Sequence, residues 1–170
     1  MGNVIYLFKG GYVMKRKVTI FDVADYFLSK LNIDKDSSIT PLKLQKLVYY
    51  AQAWSLVWEG EPLFDEQMEA WAHGPVNPDL YNKYKSYKWK GIEPVDKMEF
   101  DMFTREQLET MDAVWDGYGD YDGKYLEKLT HQEDPWIEAR GDCLPGEYCD
   151  TAIDIKNMRT YYTKMYDGDF

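Results

Sequence analysis

The most continuous hydrophobic pattern in the chain runs from Thr40 to Gly60. Apolar and small positions form two stripes at helical spacing: one contains Leu44, Leu47, Val48, Ala51, Ser55 and Trp58, and the other contains Leu42, Tyr49, Ala53, Leu56 and Val57. A helix that is apolar on nearly every side is typical of a core element with neighbours around it. Thr40 can cap such a helix, Pro41 suits its first position, and Gly60 favours its end. The pattern therefore predicts a buried central helix.

Other segments show the spacing and capping residues of shorter helices. Thr19 with Asp22, and Thr104 with Gln107, have the spacing of capping boxes. Helices are predicted over residues 19–31, 77–91, 104–118, 124–130, 134–140 and 155–165. Residues 68–72 fit either a short strand or a tight helical turn. We predict a mainly α fold: a compact single-domain bundle of six or seven helices around the central helix, with little or no sheet.

The first residues differ in composition from the rest of the chain. Residues 1–17 contain four basic side chains and no acidic one. The sequence KRKVTIFDVADYF after Met14 resembles the start of a folded domain, so residues 1–13 are either an appended strand or the product of an upstream start. We predict an N-terminal extension over residues 1–18 and one domain over residues 19–170.

Composition and charge limit the classes of function. The chain has 170 residues, of which 45% are hydrophobic and 16% aromatic, enough for one domain with a sizeable core. Thirty acidic and twenty basic side chains give a net charge of −10, which argues against a general nucleic-acid binder. An acidic body suits a basic protein partner, although solubility alone explains the same charge.

The chain lacks the usual signals for secretion or membrane insertion. Polar residues interrupt the central helix, so it is not predicted to cross a membrane. Cys143 and Cys149 are the only cysteines, too few for a secreted disulfide scaffold, and no signal peptide is recognisable at the N-terminus. We predict a cytoplasmic protein with reduced thiols.

No spacing of chemically reactive residues matches a known catalytic or metal site. His73 and His131 are the only histidines, and neither belongs to a zinc-binding spacing. The glycines do not form a phosphate loop, and no serine stands in a nucleophile elbow. We therefore predict no catalytic residue, metal or cofactor, and a structural role for both histidines. A small metal- or thiol-dependent enzyme that uses the histidines and cysteines is the alternative.

Residues 130–136 predict a tight corner between two helices. Asp134 and Pro135 can begin the second helix, while Thr130 and His131 can satisfy carbonyls that end the first. Glu133 is placed to form an ion pair with Arg140. Trp136 is expected to anchor the corner in the core.

Three motifs give the chain a family resemblance. They are LKLQKLVYY at the central helix, AWAHGPV at residues 70–76 and THQEDPW at residues 130–136. In this order and spacing they resemble the Panacea domain of SocA-like antitoxins, from about Thr19 to Tyr162. The motif residues, to which we assign structural roles, are Lys46, Tyr49, Trp71, His73, Gly74, Pro75, Thr130, His131, Glu133, Pro135, Trp136 and Arg140.

The resemblance implies an antitoxin of a bacterial or prophage toxin–antitoxin system. Such a protein neutralises a partner toxin by direct contact, and some members of the family resemble adaptors that deliver the toxin to a cytoplasmic protease. It implies neither a particular toxin nor an oligomeric state. A phage-encoded inhibitor of a host defence protein is the alternative function.

A concentration of lysine and aromatic residues lies at residues 82–91. A helix there could turn its tyrosines to the core and its lysines to solvent, or the segment could bind a protein or, less readily, nucleic acid. We predict a toxin-binding segment on a helix, formed by Lys83, Tyr84, Lys85, Tyr87, Lys88 and Trp89.

Overall fold

A computed structural model describes residues 5–8, 11–14, 16–96 and 99–169. Within these ranges the chain forms seven α-helices and two two-stranded antiparallel sheets. The prediction of a mainly α fold is confirmed. The helices are α1 Ile20–Lys30, α2 Pro41–Trp58, α3 Pro78–Tyr84, α4 Arg105–Tyr118, α5 Gly123–Thr130, α6 Asp134–Arg140 and α7 Ile155–Asp167. The strands are β1 Ile5–Phe8, β2 Gly11–Met14, β3 Glu69–Trp71 and β4 Gly74–Val76.

Helix α2 is the centre of the fold. Every residue from Lys43 to Leu56 is buried, and α2 contacts α1, α3, α4, α5, α7 and β4. The prediction of a buried central helix is confirmed. Trp58 is an exception to the predicted apolar stripe, because 42% of its surface is exposed where α2 ends.

Local capping explains where several helices begin. The hydroxyl of Thr40 accepts a hydrogen bond from the Lys43 amide at 3.2 Å. Capping boxes start α1 at Thr19 and α4 at Thr104, as their spacing predicts. Asn77 caps α3 through a bond from the Leu80 amide at 2.9 Å. Each cap satisfies an amide that has no partner inside its own helix.

Residues 69–76 form a β-hairpin, which decides between the two predicted alternatives in favour of a strand. Glu69 pairs with Val76, Ala70 with Pro75 and Trp71 with Gly74. The hairpin packs on α2, α5 and α6, and the amide of Ala70 also donates to the carbonyl of Thr151. It is the element around which the three family motifs meet.

The predicted N-terminal extension contains a separate hairpin. β1 and β2 pair antiparallel, from Ile5 with Met14 to Phe8 with Gly11. Residues 1–4, 9, 10 and 15 of the predicted extension lie outside the described part of the chain. Arg16, near the end of the predicted extension, donates two hydrogen bonds to the Asp22 carboxylate in α1, at 2.7 and 2.6 Å. In residues 16–96 and 99–169, no helix combines the length and apolar character needed to cross a membrane.

Candidate functional site

Lys46 lies at the centre of the cluster of motif residues. It is completely buried on α2, and its Nζ donates to the carbonyl of Pro75 in β4 at 3.0 Å. Burial lowers the pKa of Lys46 to about 7, although the negative charge of Glu127 acts in the opposite direction. The hydrogen bond from buried Lys46 to this main-chain carbonyl holds the hairpin against α2.

Gly74 allows the hairpin to approach this lysine. Its φ angle is 95°, and a β-carbon at this position would lie 2.7 Å from Lys46 Cε and 2.8 Å from Thr130 Oγ1. Thr130 itself donates to the carbonyl of Glu127 at 2.8 Å, so it satisfies a carbonyl near the end of α5 as predicted. Only glycine combines this backbone conformation with so little space.

Glu133 forms a second buried polar centre. Its carboxylate is 2% exposed and accepts bonds from the hydroxyls of Tyr162 at 2.7 Å and Tyr50 at 3.1 Å. The Tyr49 and Tyr162 hydroxyl oxygens are 3.2 Å apart. Burial raises the pKa of Glu133 to about 7, against the effect of the two tyrosine hydrogen bonds. Tyr50 and Tyr162 are not predicted from the sequence as partners of Glu133, although Tyr50 belongs to the first motif.

Arg140 does not form the predicted ion pair with Glu133. Its buried guanidinium donates instead to the carbonyls of Ala70 at 3.3 Å and Glu147 at 3.0 Å, and also to that of Leu144. The prediction of a Glu133–Arg140 pair is wrong because Glu133 points towards α2 and α7, while Arg140 faces β3 and the loop at 141–150. Arg140 therefore connects α6, β3 and this loop.

Stacked rings complete the corner between α5 and α6. His131 lies on Trp136 with ring centroids 4.0 Å apart, and Trp136 Nε1 donates to the carbonyl of Trp71 at 3.0 Å. Pro135 is buried at the start of α6. Trp136 is only partly buried, but it packs against the core and fastens β3 to α6, close to the predicted arrangement.

The two histidines have different surroundings. His73 is 70% exposed at its side chain, and its Nδ1 lies 2.9 Å from a carboxylate oxygen of Glu127. His131 Nε2 is buried without a partner among the described residues, and burial lowers the pKa of the ring, which favours the neutral form. Among residues 16–96 and 99–169, no three His, Cys, Asp or Glu side chains are grouped so that they could hold a metal ion.

The predicted binding segment is only partly available at the surface. The α-helix ends at Tyr84, a 3₁₀ turn covers Lys85–Tyr87, and Lys88 has a φ of 55°. Tyr84 is 7% exposed and Tyr87 packs against the core, whereas Trp89 is 77% exposed. The structure therefore places Tyr84 in the core rather than on a contact surface, and the segment is not one helix.

The lysines of this segment differ in their contacts. Lys83 Nζ lies 3.8 Å from the Asp25 carboxylate and 5.1 Å from the centre of the Phe21 ring. Lys85 donates to Asn82 at 3.0 Å, and Lys88 Nζ lies 5.8 Å from the Trp89 ring centre. Lys83, Lys85, Lys88 and Trp89 are the part of the prediction that remains exposed to solvent.

The sequence model of the family described as "Antitoxin SocA-like, Panacea domain" matches residues 44–137. This match covers more than half of the chain and contains the second and third motifs and all but the first two residues of the first motif. The chain belongs to this family. A curated relative, "Antitoxin SocA" of Caulobacter vibrioides (strain NA1000 / CB15N), is 40% identical over 63 residues, which are 35% of this chain.

Only part of this Panacea-domain chain aligns with the curated relative. The aligned part spans 34% of that antitoxin, about a third of its length. No solved structure matches the chain. The family match over residues 44–137 includes α5 and most of α2 and α6, with the hairpin that Lys46 and Trp136 hold.

Proposed function

We propose that this Panacea-domain chain is an antitoxin that neutralises a protein toxin by direct, stoichiometric contact in the cytoplasm. The observation that carries the proposal is the family match over residues 44–137. The contacts of the motif residues support the proposal. Their most deeply buried charged side chains form hydrogen bonds within the protein, which is what a structural role requires. Lys46 and Arg140 hold main-chain carbonyls, and Glu133 accepts from two tyrosines.

The proposed mechanism needs no catalytic group in the chain. A binding protein requires a rigid body that presents a fixed surface, since pre-organised side chains lose less entropy on association. The motif residues provide this rigidity by fastening the hairpin, α5 and α6 to the central helix. The net charge of −10 favours encounter with a basic toxin.

Genetic neutralisation tests the proposal. Each open reading frame that flanks the gene would be expressed in a heterologous bacterium, with and without this chain. We expect one frame to stop growth alone and to be tolerated in the presence of the chain. The matched control carries a stop codon within α2. If every flanking frame is harmless, or if toxicity persists with the intact chain, the proposal is wrong.

Purified proteins distinguish binding from catalysis and from proteolytic delivery. For direct neutralisation, toxin activity should fall in proportion to added antitoxin until the two are equimolar. An enzyme would act well below equimolar amounts. A protease adaptor would leave the purified toxin active but shorten its half-life in cells, so a pulse-chase measurement of the toxin identifies that mechanism.

A further inference from the structure

A continuous groove crosses the face of α4 between the end of α2 and α5. It consists of two adjoining hollows of about 390 and 620 Å³, which share Trp58 and Ala113. The first hollow is lined mainly by aromatic rings, and half of the residues that line the second are glutamates. None of the groove-lining positions belongs to the three family motifs that hold the hairpin.

The aromatic half presents stacked rings to solvent. Tyr121 and Tyr125 stack with centroids 4.3 Å apart and are 43% and 48% exposed. Opposite them, Trp58 stacks on Trp54 at 4.9 Å. Rings that are already stacked are restricted before any partner arrives, so binding to them costs little side-chain entropy. Partly exposed tyrosine and tryptophan are also the residues in which binding energy is most often concentrated.

The acidic half is formed by Glu59, Glu61, Glu106 and Glu109. The Glu59 carboxylate is held in place by a bond from the Thr110 hydroxyl at 2.8 Å. Burial raises the pKa of Glu59, and the negative charges of Glu106 and Glu61 raise it further. The carboxylates of Glu59, Glu61 and Glu106 therefore repel one another, and a cation placed between them relieves the repulsion. Glu109 is already paired with Arg105, whose Nε donates to its carboxylate at 2.8 Å.

The floor of the groove is made of small residues on one face of α4. Ala113 is exposed, and at Gly117 an added β-carbon would meet no atom within 4 Å. The space above Gly117 is thus open to a side chain from another molecule. This glycine lies in a helix without positive φ, so the backbone conformation does not require it.

The chemistry of the two halves defines one kind of occupant. Aromatic faces attract ammonium and guanidinium groups as well as apolar side chains, and glutamates attract the same cations. Phosphate-bearing ligands are disfavoured by the carboxylates. A metal ion is not indicated, since the described residues provide no cluster of three suitable ligands. An amphipathic peptide segment with basic and apolar side chains matches both halves.

We infer that this aromatic–acidic groove is the docking site for a basic amphipathic segment of the toxin, an inference that rests on the proposed function. The toxin segment inserts apolar side chains above Gly117 and between Trp58 and Tyr125, and its arginine or lysine side chains face Glu59 and Glu106. The Lys85–Trp89 surface is then not the main anchor, because it offers one exposed ring and positive charge.

The first test uses a peptide rather than the toxin. A short fluorescein-labelled amphipathic peptide of leucine and arginine would be titrated with the full chain, and fluorescence anisotropy would be recorded. The same peptide with glutamate in place of arginine is the ligand control. We expect binding of the arginine peptide alone, and weaker binding as salt is raised.

A substitution at the groove floor tests the location. Gly117→Arg fills the open space and adds a like charge to a basic ligand, while arginine is a better helix former than glycine, so the fold is retained. Thr160→Arg, at an exposed position of α7, adds the same charge elsewhere. Gly117→Arg should weaken peptide binding by about tenfold or more, as loss of a central contact does. Thr160→Arg should change it by less than about twofold.

The outcomes separate this inference from the proposed function. Equal binding of the two peptides, absence of binding to the arginine peptide, or equal effects of Gly117→Arg and Thr160→Arg would overturn the groove assignment. If the wild-type chain rescues cells from a flanking toxin and Gly117→Arg rescues them equally well, the antitoxin proposal stands and the toxin docks elsewhere. If no flanking frame is neutralised, the antitoxin proposal itself fails, whatever the peptide result.

Discussion

Lys46 and Gly74 lie so close together that Lys46 can be buried only because Gly74 has no side chain. The Lys46 side chain passes within 2.7 Å of the position that a β-carbon of Gly74 would take, and it reaches the carbonyl of the next residue, Pro75. The two residues are 28 positions apart in sequence but form a single unit of packing. The hairpin is therefore held by a steric fit as well as by a hydrogen bond.

Gly74→Ala should destabilise the protein by about 1–3 kcal/mol, because the substitution combines positive φ with a collision against Lys46. Gly117→Ala is the matched control, since this glycine is helical and has free space around it. We expect the control to stabilise the fold by about 0.4–1 kcal/mol. Urea denaturation would measure both. Equal effects of the two substitutions would contradict the steric account.

Leu47→Ala should cost roughly 2–5 kcal/mol of unfolding free energy, as the loss of a large core side chain does. Leu47 is completely buried on α2. Ile33→Ala removes an apolar side chain that is 85% exposed and should change stability by less than about 0.5 kcal/mol. A loss below about 0.5 kcal/mol for Leu47→Ala would show that the central helix is not the core.

Glu133 should make stability depend on pH between 4.5 and about 7. Its pKa rises from 4.5 to about 7 on folding, so the folded state holds the proton more tightly. The stabilising contribution is complete below pH 4.5 and is lost as pH rises through about 7. The loss is on the order of 3 kcal/mol.

The variant Glu133→Gln isolates this effect. Its stability should fall less steeply than that of the wild type over the same pH range, while Glu93→Gln, at an exposed position, should leave the wild-type slope unchanged. Denaturation curves at several pH values give the comparison. Parallel wild-type and Glu133→Gln profiles would exclude a raised Glu133 pKa in the folded state.

His131→Ala should reduce stability by about 0.5–3 kcal/mol through loss of the stack on Trp136. Neutralisation of the toxin should weaken only in proportion to the folded fraction. His131→Phe preserves a stacking ring and should retain neutralisation, a result that a catalytic or metal-binding imidazole would not permit. Loss of neutralisation in both variants at an unchanged melting temperature would refute the structural role.

Tyr87 and Trp89 should respond differently to alanine. Tyr87 packs against the core, so Tyr87→Ala should lower the melting temperature, whereas Trp89→Ala should leave it unchanged. Toxin affinity should persist in Trp89→Ala, because the groove rather than this ring provides the anchor. Release of the toxin by Trp89→Ala alone would instead support the toxin-binding segment that the sequence predicts, formed by Lys83, Tyr84, Lys85, Tyr87, Lys88 and Trp89.

Helix positions could be predicted where the signals are local. Thr19, Thr40, Asn77 and Thr104 each cap a helix through amides within three residues, so a short stretch of sequence contains the whole interaction. The end of α3 was predicted too late because it depends on a distant contact. After the 3₁₀ turn the chain bends so that the amide of Ile92 can donate to the carbonyl of Ile39 at 2.8 Å.

The interactions within the motif cluster could not be predicted in the same way. Tyr50 and Tyr162 reach Glu133 from 83 and 29 residues away, so spacing along the chain favoured the nearby Arg140 instead. Likewise, helical periodicity placed Trp58 on a buried stripe but could not indicate that no element covers the end of α2. The composition shows that acidic side chains outnumber basic ones. It could not show that Glu59, Glu61, Glu106 and Glu109, from two distant segments, lie beside exposed aromatic rings.

The bond from Tyr162 to Glu133 has a consequence for synthesis of the protein. A ribosome completes α6 before it reaches α7, so the nascent chain contains Glu133 before its nearest hydroxyl donor exists. Until α7 emerges from the exit tunnel and docks, the corner lacks a closing contact. Each new molecule of this protein therefore gains its full rigidity late in translation, and slow elongation through α7 would lengthen the interval before the corner is closed.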